Sequence, residues 1–189
     1  HDQVLFSKTL SLQKCKEIRD LLRKTNVEGV LEGKDGVYFD NSIRHPFLQN
    51  IKENYQAVPT FKVSTFDDEN LSFDKFAIWF DQNSDIETFK KEISEEFQYI
   101  TRDHDFGEIV PKGCSKATGI EFLLDYFNLE LEDAYVFGDS FNDLAMLEYV
   151  KYAIVMGNGN PELFDLAYLV TKNIDDDGIY YALKKLELI

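Results

Sequence analysis

Ala134-Tyr135-Val136-Phe137-Gly138-Asp139-Ser140-Phe141-Asn142-Asp143 is the stretch that decides how this chain is read. Residues 134–137 form a short, wholly apolar run, as expected of a strand buried on both faces of a parallel sheet. A glycine then opens a tight turn that carries two carboxylates and a carboxamide. Working outward, the spacing predicts a helix over residues 115–127, a helix over 143–149 and a strand over 152–156. A helix over 161–166, a strand over 168–171 and a helix over 178–186 follow. Strand and helix alternate, which describes a doubly wound α/β layout. Ligands of such sheets bind beyond the carboxyl ends of the strands, which is where Gly138–Asp143 falls.

Upstream of about residue 110 the patterning changes. Residues 3–10 alternate as a strand would, and Leu12, Cys15, Ile18, Leu21 and Leu22 make a helical stripe. Val30-Leu31, the turn Lys34-Asp35-Gly36 and Val37-Tyr38-Phe39 read as a hairpin. Residues 47–55 and 86–97 read as helices, and 73–80 and 106–110 as strands. This mixture predicts an α+β module with an antiparallel sheet.

Composition narrows the function classes. The 189 residues carry a formal net charge of −15, against the cationic face that nucleic acid or an anionic membrane requires. Apolar residues make up 44% and aromatics 14%, too many for a disordered chain. No apolar run approaches the roughly 18 residues of a membrane span. Two cysteines, Cys15 and Cys114, cannot form a disulfide framework, so a reducing, cytoplasmic compartment is the expectation.

The chemistry concentrates in two places. Asp139 and Asp143 are hard oxygen donors of the kind that Mg²⁺ prefers, and Asn142 can hydrogen-bond a phosphate oxygen without adding charge. Helix capping explains one acid after a strand, but not Asp, Asn and Asp together. The second place is Gly113-Cys114-Ser115-Lys116-Ala117-Thr118-Gly119. Ser115 reads as an N-cap, so Lys116 lies at the positive end of a helix dipole, where a cation needs a compensating anion such as phosphate or clustered carboxylates. The spacing is not that of a Walker A loop. Asn173–Gly178 opens like an EF-hand loop but has Lys184 where the closing Glu belongs. Gly157-Asn158-Gly159 lacks the third glycine of a dinucleotide fingerprint, and the sequon Asn70-Leu71-Ser72 is read as chance. His45 and His104 are read as surface residues rather than ligands.

Four segments in order give a resemblance. Gly113–Ile120, Gly138–Asp143 with Met146-Leu147, Met156–Asn160, and Asn173 with Asp177-Gly178 are similar to the later motifs of the haloacid dehalogenase (HAD)-like hydrolases. Within that family they resemble specifically the Cof-like phosphatases with a large α/β (type IIB) cap. The resemblance implies a HAD-like parallel core from residue 109 to 189, an α+β cap over 11–108, and the end of a preceding core half at 1–10. It further implies a Mg²⁺-dependent phosphatase that forms an aspartyl-phosphate with a small phosphorylated metabolite. In that scheme Asp139 is a metal ligand, and Asp143 a second ligand or the holder of metal-bound water. Lys116 neutralises the nucleophile and the transferring phosphoryl group, and Asn142 touches phosphate or orients Lys116. Arg44, His45 and Trp79 are cap residues that could face substrate.

The departure from the family is its first motif. No apolar strand ending Asp-x-Asp-Gly-Thr is present; Asp103-His104-Asp105 has the spacing but a polar flank and Lys116 too close behind it, and Asp175-Asp176-Asp177-Gly178 matches the family's closing segment instead. With a first residue that is not Met, the expectation is a truncated phosphatase without its nucleophile. The strand at 134–137 then has an open apolar edge and invites self-association. A non-catalytic binding module on the same scaffold and a phosphomutase-type phosphotransferase are the competing expectations.

Overall fold

A computed structural model describes residues 4–189, which fall into two units, the first ending at Lys112 and the second running from Gly113 to Ile189. Each has its own sheet. The first unit contains α1 (Leu12–Lys24), β1 (Glu28–Gly33), β2 (Gly36–Phe39), α2 (Pro46–Ala57), β3 (Val63–Thr65), β4 (Lys75–Trp79), α3 (Ile86–Ile93), β5 (Phe97–Asp103) and β6 (Phe106–Pro111). The strand order is β3-β2-β1-β4-β6-β5, and every pairing except β2 with β3 is antiparallel.

Alternation along these strands makes two cores. Leu31, Tyr38, Phe76 and Ile78 pack with Cys15, Ile18 and Leu22 of α1 and with Phe89 and Ile93 of α3. Val30, Val37, Phe39, Ala77 and Trp79 pack with Leu48 and its neighbours in α2. The helices start where capping chemistry allows: Ser11 Oγ accepts from the Lys14 amide at 3.2 Å and Asp85 Oδ1 from the Thr88 amide at 3.1 Å. Around Phe76, the rings of Phe73, Phe89 and Phe97 stand edge-on at 5.8, 6.4 and 5.8 Å between centroids.

Two expectations change here, and strands β3 and β5 are added. The strand expected over 3–10 begins outside the described residues, and residues 4–10 form no strand. The helix expected over 86–97 stops at Ile93. Phe97, buried at 4%, instead opens β5 and pairs with Pro111. The polar residues of 98–102 hid this strand because it lies at the sheet edge, where one face and one rim are wet. The three-residue strand β3 was likewise too short to leave a periodic signal.

The second unit contains α4 (Lys116–Phe127), β7 (Tyr135–Gly138), α5 (Leu144–Tyr149), β8 (Tyr152–Val155), β9 (Leu169–Val170) and α6 (Gly178–Lys185). Its three strands are parallel in the order β7-β8-β9. The stretch Pro161–Leu166, expected as an α-helix, is a 3₁₀ segment, with Leu163 N–H bonded to Asn160 O and Ala167 N–H to Phe164 O. Six residues spanning a short crossover settle into the tighter turns. Val136, Leu147, Val150, Ala153, Val155 and Leu163 form the core. β8 is the only strand paired with β7 among the described residues, so one edge of β7 is open. Leu123, Tyr126 and Phe127 of α4 lie exposed on the surface. No helix among the described residues is long and apolar enough to cross a membrane.

Trp79, the one tryptophan of the chain, stacks on Phe106 at 4.6 Å and so reports on the first unit alone. Replacing the fully buried Phe76 with Ala is expected to cost that unit about 3–5 kcal/mol. Urea unfolding followed by Trp79 fluorescence measures it. A loss below about 1 kcal/mol would mean that the ring cluster around Phe76 does not hold the unit together.

Candidate active site

In a parallel sheet every strand delivers its carboxyl end to the same rim. β7 ends at Gly138, and the chain turns at once into a 3₁₀ turn, Phe141–Asp143, that leads into α5. This brings Asp143 back against the strand end. Its Oδ2 accepts from the Asp139 amide at 2.9 Å and from the Ser140 amide at 3.3 Å. The return is so close that a Cβ on Gly138 would lie 2.8 Å from Asp143 Cβ, so glycine is required there.

Asp143 is buried, 3% exposed. Its other oxygen, Oδ1, accepts from Lys116 Nζ. Lys116 is the first residue of α4, held in place by a reciprocal cap in which Ser115 Oγ accepts from the Thr118 amide and Thr118 Oγ1 from the Ser115 amide. The cation at the positive helix end therefore has its anion, and that anion is a buried carboxylate 27 residues away. Burial pushes the Asp143 carboxyl up. The Lys116 hydrogen bond and the Asp139 and Ser140 amides outweigh burial, and the group is held below the usual carboxylate range.

Asp139 stands differently. Its amide serves Asp143 and its carbonyl accepts from the Asn160 amide at 2.8 Å, but its exposed side chain has no hydrogen-bond or ion-pair partner among the described residues. Asn142 Oδ1 accepts from Ser140 Oγ at 2.6 Å, which leaves the amide nitrogen as the unengaged donor. Ser140 therefore orients Asn142, a role that sequence reading missed, although a hydroxyl two residues before a carboxamide is a recognisable local pair. The segment 156–160 runs beneath: a Cβ on Gly159 would lie 3.0 Å from Asp139 Cα and from its carbonyl oxygen. Asn158 Oδ1 in turn accepts from the Ile174 amide at 2.8 Å, tying this segment to 173–178.

Lys116, Asp139, Asn142 and Asp143 thus meet at one rim of one sheet. Of the first-unit residues, Trp79 is core, 3% exposed, and Arg44 is bonded to Glu28 and Asn26. The donor set at the rim suits Mg²⁺, which is usually held by one or two carboxylates with the remaining positions left to water and phosphate. The free carboxylate of Asp139 is a hard oxygen donor of that kind.

The family model of the haloacid dehalogenase-like hydrolases matches residues 1–183. The chain belongs to that family. YkrA of Bacillus subtilis is 46% identical over 82 residues, 43% of this chain and 32% of the relative. The 5-amino-6-(5-phospho-D-ribitylamino)uracil phosphatase YitU of the same organism is 28% identical over 188 residues, 95% of this chain and 68% of the relative. BT4131, described as a HAD subclass IIB sugar phosphatase, superposes with a TM-score of 0.75 at 21% identity, over 100% of this chain and 71% of that one, and so shares the fold. The chain spans about a third of the length of the first curated relatives that it matches.

A folded pKa below the unfolded value makes Asp143 stabilising above about pH 3.9, the ordinary Asp value, and that contribution disappears as pH falls through the folded value. Carboxyl ¹³C titration is expected to place Asp143 below about 3.9, and Lys116→Met to raise it. A wild-type value at or above the ordinary one would contradict the assigned balance between burial and the three hydrogen bonds.

Proposed function

We propose that this chain provides the metal- and phosphate-binding rim of a Mg²⁺-dependent phosphatase that acts on a small phosphorylated metabolite through an aspartyl-phosphate. The observation that carries this reading is the Lys116–Asp143 ion pair at the carboxyl rim of the parallel sheet, beside the unengaged carboxylate of Asp139. Asp143 fixes the Lys116 ammonium with one N–H and leaves its other two for phosphate oxygens. The Asn142 amide donates to a further phosphate oxygen, and Ser140 holds it in that orientation. Asp139 holds Mg²⁺, which offsets the charge of the transferring phosphoryl group when bound. Asp143 contributes to the metal through water, since both of its oxygens already accept hydrogen bonds.

In this reading residues 11–108 form the cap that selects the substrate and 109–189 belong to the catalytic core. The nucleophilic Asp is not among the 189 residues. The intact rim supports catalysis over a binding module that has shed it, because a module without catalysis need not keep Asp139, Asn142, Asp143 and Lys116 together. YitU and BT4131 act on phosphate esters by name, which supports the same class of substrate here. The free thiols of Cys15 and Cys114 fit a reducing, cytoplasmic compartment.

Two measurements test this. Mg²⁺ is expected to raise the thermal midpoint of the second unit in the wild type and not in Asp139→Ala, while aryl phosphate hydrolysis by the chain alone stays at background. Mg²⁺-dependent turnover that vanishes in Asp139→Ala would instead place a nucleophile within these residues. The open edge of β7 and the exposed apolar residues of α4 should drive self-association. Sedimentation is expected to show species above 22.0 kDa that grow with concentration. A monodisperse monomer would refute that part of the proposal.

A further inference from the structure

The register of β4 with β6 pairs Trp79 with Phe106 and so sets the position of the turn before it, Asp103-His104-Asp105. His45 reaches the same place from another direction. It precedes Pro46 at the start of α2, its amide donates to Glu28 Oε2 at 3.1 Å, and its ring lies 6.3 Å from the Trp79 ring. Two histidines that look unrelated in sequence therefore converge on one carboxylate. His45 Nε2 is 3.5 Å and His104 Nε2 3.6 Å from Asp105 Oδ2. A tetrahedral ion with bonds of about 2.0–2.1 Å needs its donors about 3.3 Å apart. Asp103, His104 and Asp105 each offer a ligand atom, all within 4.8 Å of one another, and His45 lies outside that group and reaches it through its contact with Asp105.

We propose that His45, His104 and Asp105 form a site for a borderline divalent transition metal such as Zn²⁺ on the β5–β6 turn of the first unit. Nitrogen and carboxylate donors in this mixture suit zinc-type ions and are poor for Mg²⁺, so this site is chemically distinct from the Asp139 rim. Asp103 is the positioning residue. Its Oδ1 lies 2.8 Å from His104 Nδ1, which fixes the proton on that nitrogen and turns the Nε2 lone pair outward, as carboxylates do behind metal-bound histidines. His45 Nδ1 is buried and unpartnered, so only the Nε2 edge of that ring is open to a ligand. His104 is 83% exposed on the same turn as Asp103, so the pair can approach His45 together, and a fourth position is left for water or a partner's side chain. The chain's net charge of −15 raises the local concentration of any cation.

The test uses the full chain, with Zn²⁺ titrated calorimetrically at neutral pH in excess Mg²⁺ so that hard-cation sites are filled. Long-range ¹H–¹⁵N spectra of the histidine rings follow the same titration. One saturable site is expected, shifting the His45 and His104 rings together. His104→Gln and Asp103→Asn should each weaken binding by about tenfold or more. Both lie on an exposed turn, so neither threatens folding. His45→Gln should do the same, and His1→Ala should leave affinity unchanged. Affinity unaltered in His104→Gln and His45→Gln, or a titration that moves the His1 ring alone, would overturn the proposal.

Discussion

Asp143 is a carboxylate with 3% of its surface exposed, at the end of a parallel strand in a unit with only three strands. An isolated charge in such a place would cost several kcal/mol and would escape by taking a proton. It stays ionised because the chain brings three donors to it: the Asp139 and Ser140 amides and the Lys116 ammonium. Meeting that need determines much of the local architecture. The turn after β7 must fold back, which requires glycine at 138. Helix α4 must begin at Lys116, which the Ser115–Thr118 cap secures.

The consequence is that Asp139 is left over. Its backbone is committed to Asp143 and Asn160, while its side chain is committed to nothing among the described residues. An acid held still by its main chain, with an open carboxylate at the rim of a parallel sheet, is suited to hold a cation without rearranging. Asn142, oriented by Ser140, and the spare donors of Lys116 flank it in chemistry that suits phosphate. Preorganisation of this kind is what phosphoryl transfer asks of a protein. The first unit follows a different logic: its sheet is covered on both faces, and its stability resides in aromatic packing around Phe76 and Trp79.

Much of this was legible in the sequence where periodicity or local chemistry was strong. The run at 134–137, the Ser115 cap and the need of Lys116 for an anion could each be read from residue types. The identity of the anion could not, because Asp143 lies 27 residues away and only the strand–turn–helix return joins them. The hairpin of β1 and β2 was clear from its turn. Edge strands β3 and β5 were not, since wet edges erase the alternation on which such readings depend. The approach of His45 and His104 to Asp105 was invisible for the same physical reason as the ion pair, namely that tertiary register, not local pattern, made it.

The most direct test of the central claim, that the rim around Asp139 is a cation site built by Asp143 and Lys116, is paramagnetic broadening by Mn²⁺ in place of Mg²⁺. Amide spectra of the second unit should lose intensity first at Asp139, Ser140 and Lys116, and the loss should disappear in Asp139→Asn. Broadening that centres elsewhere, or that survives Asp139→Asn unchanged, would contradict the account.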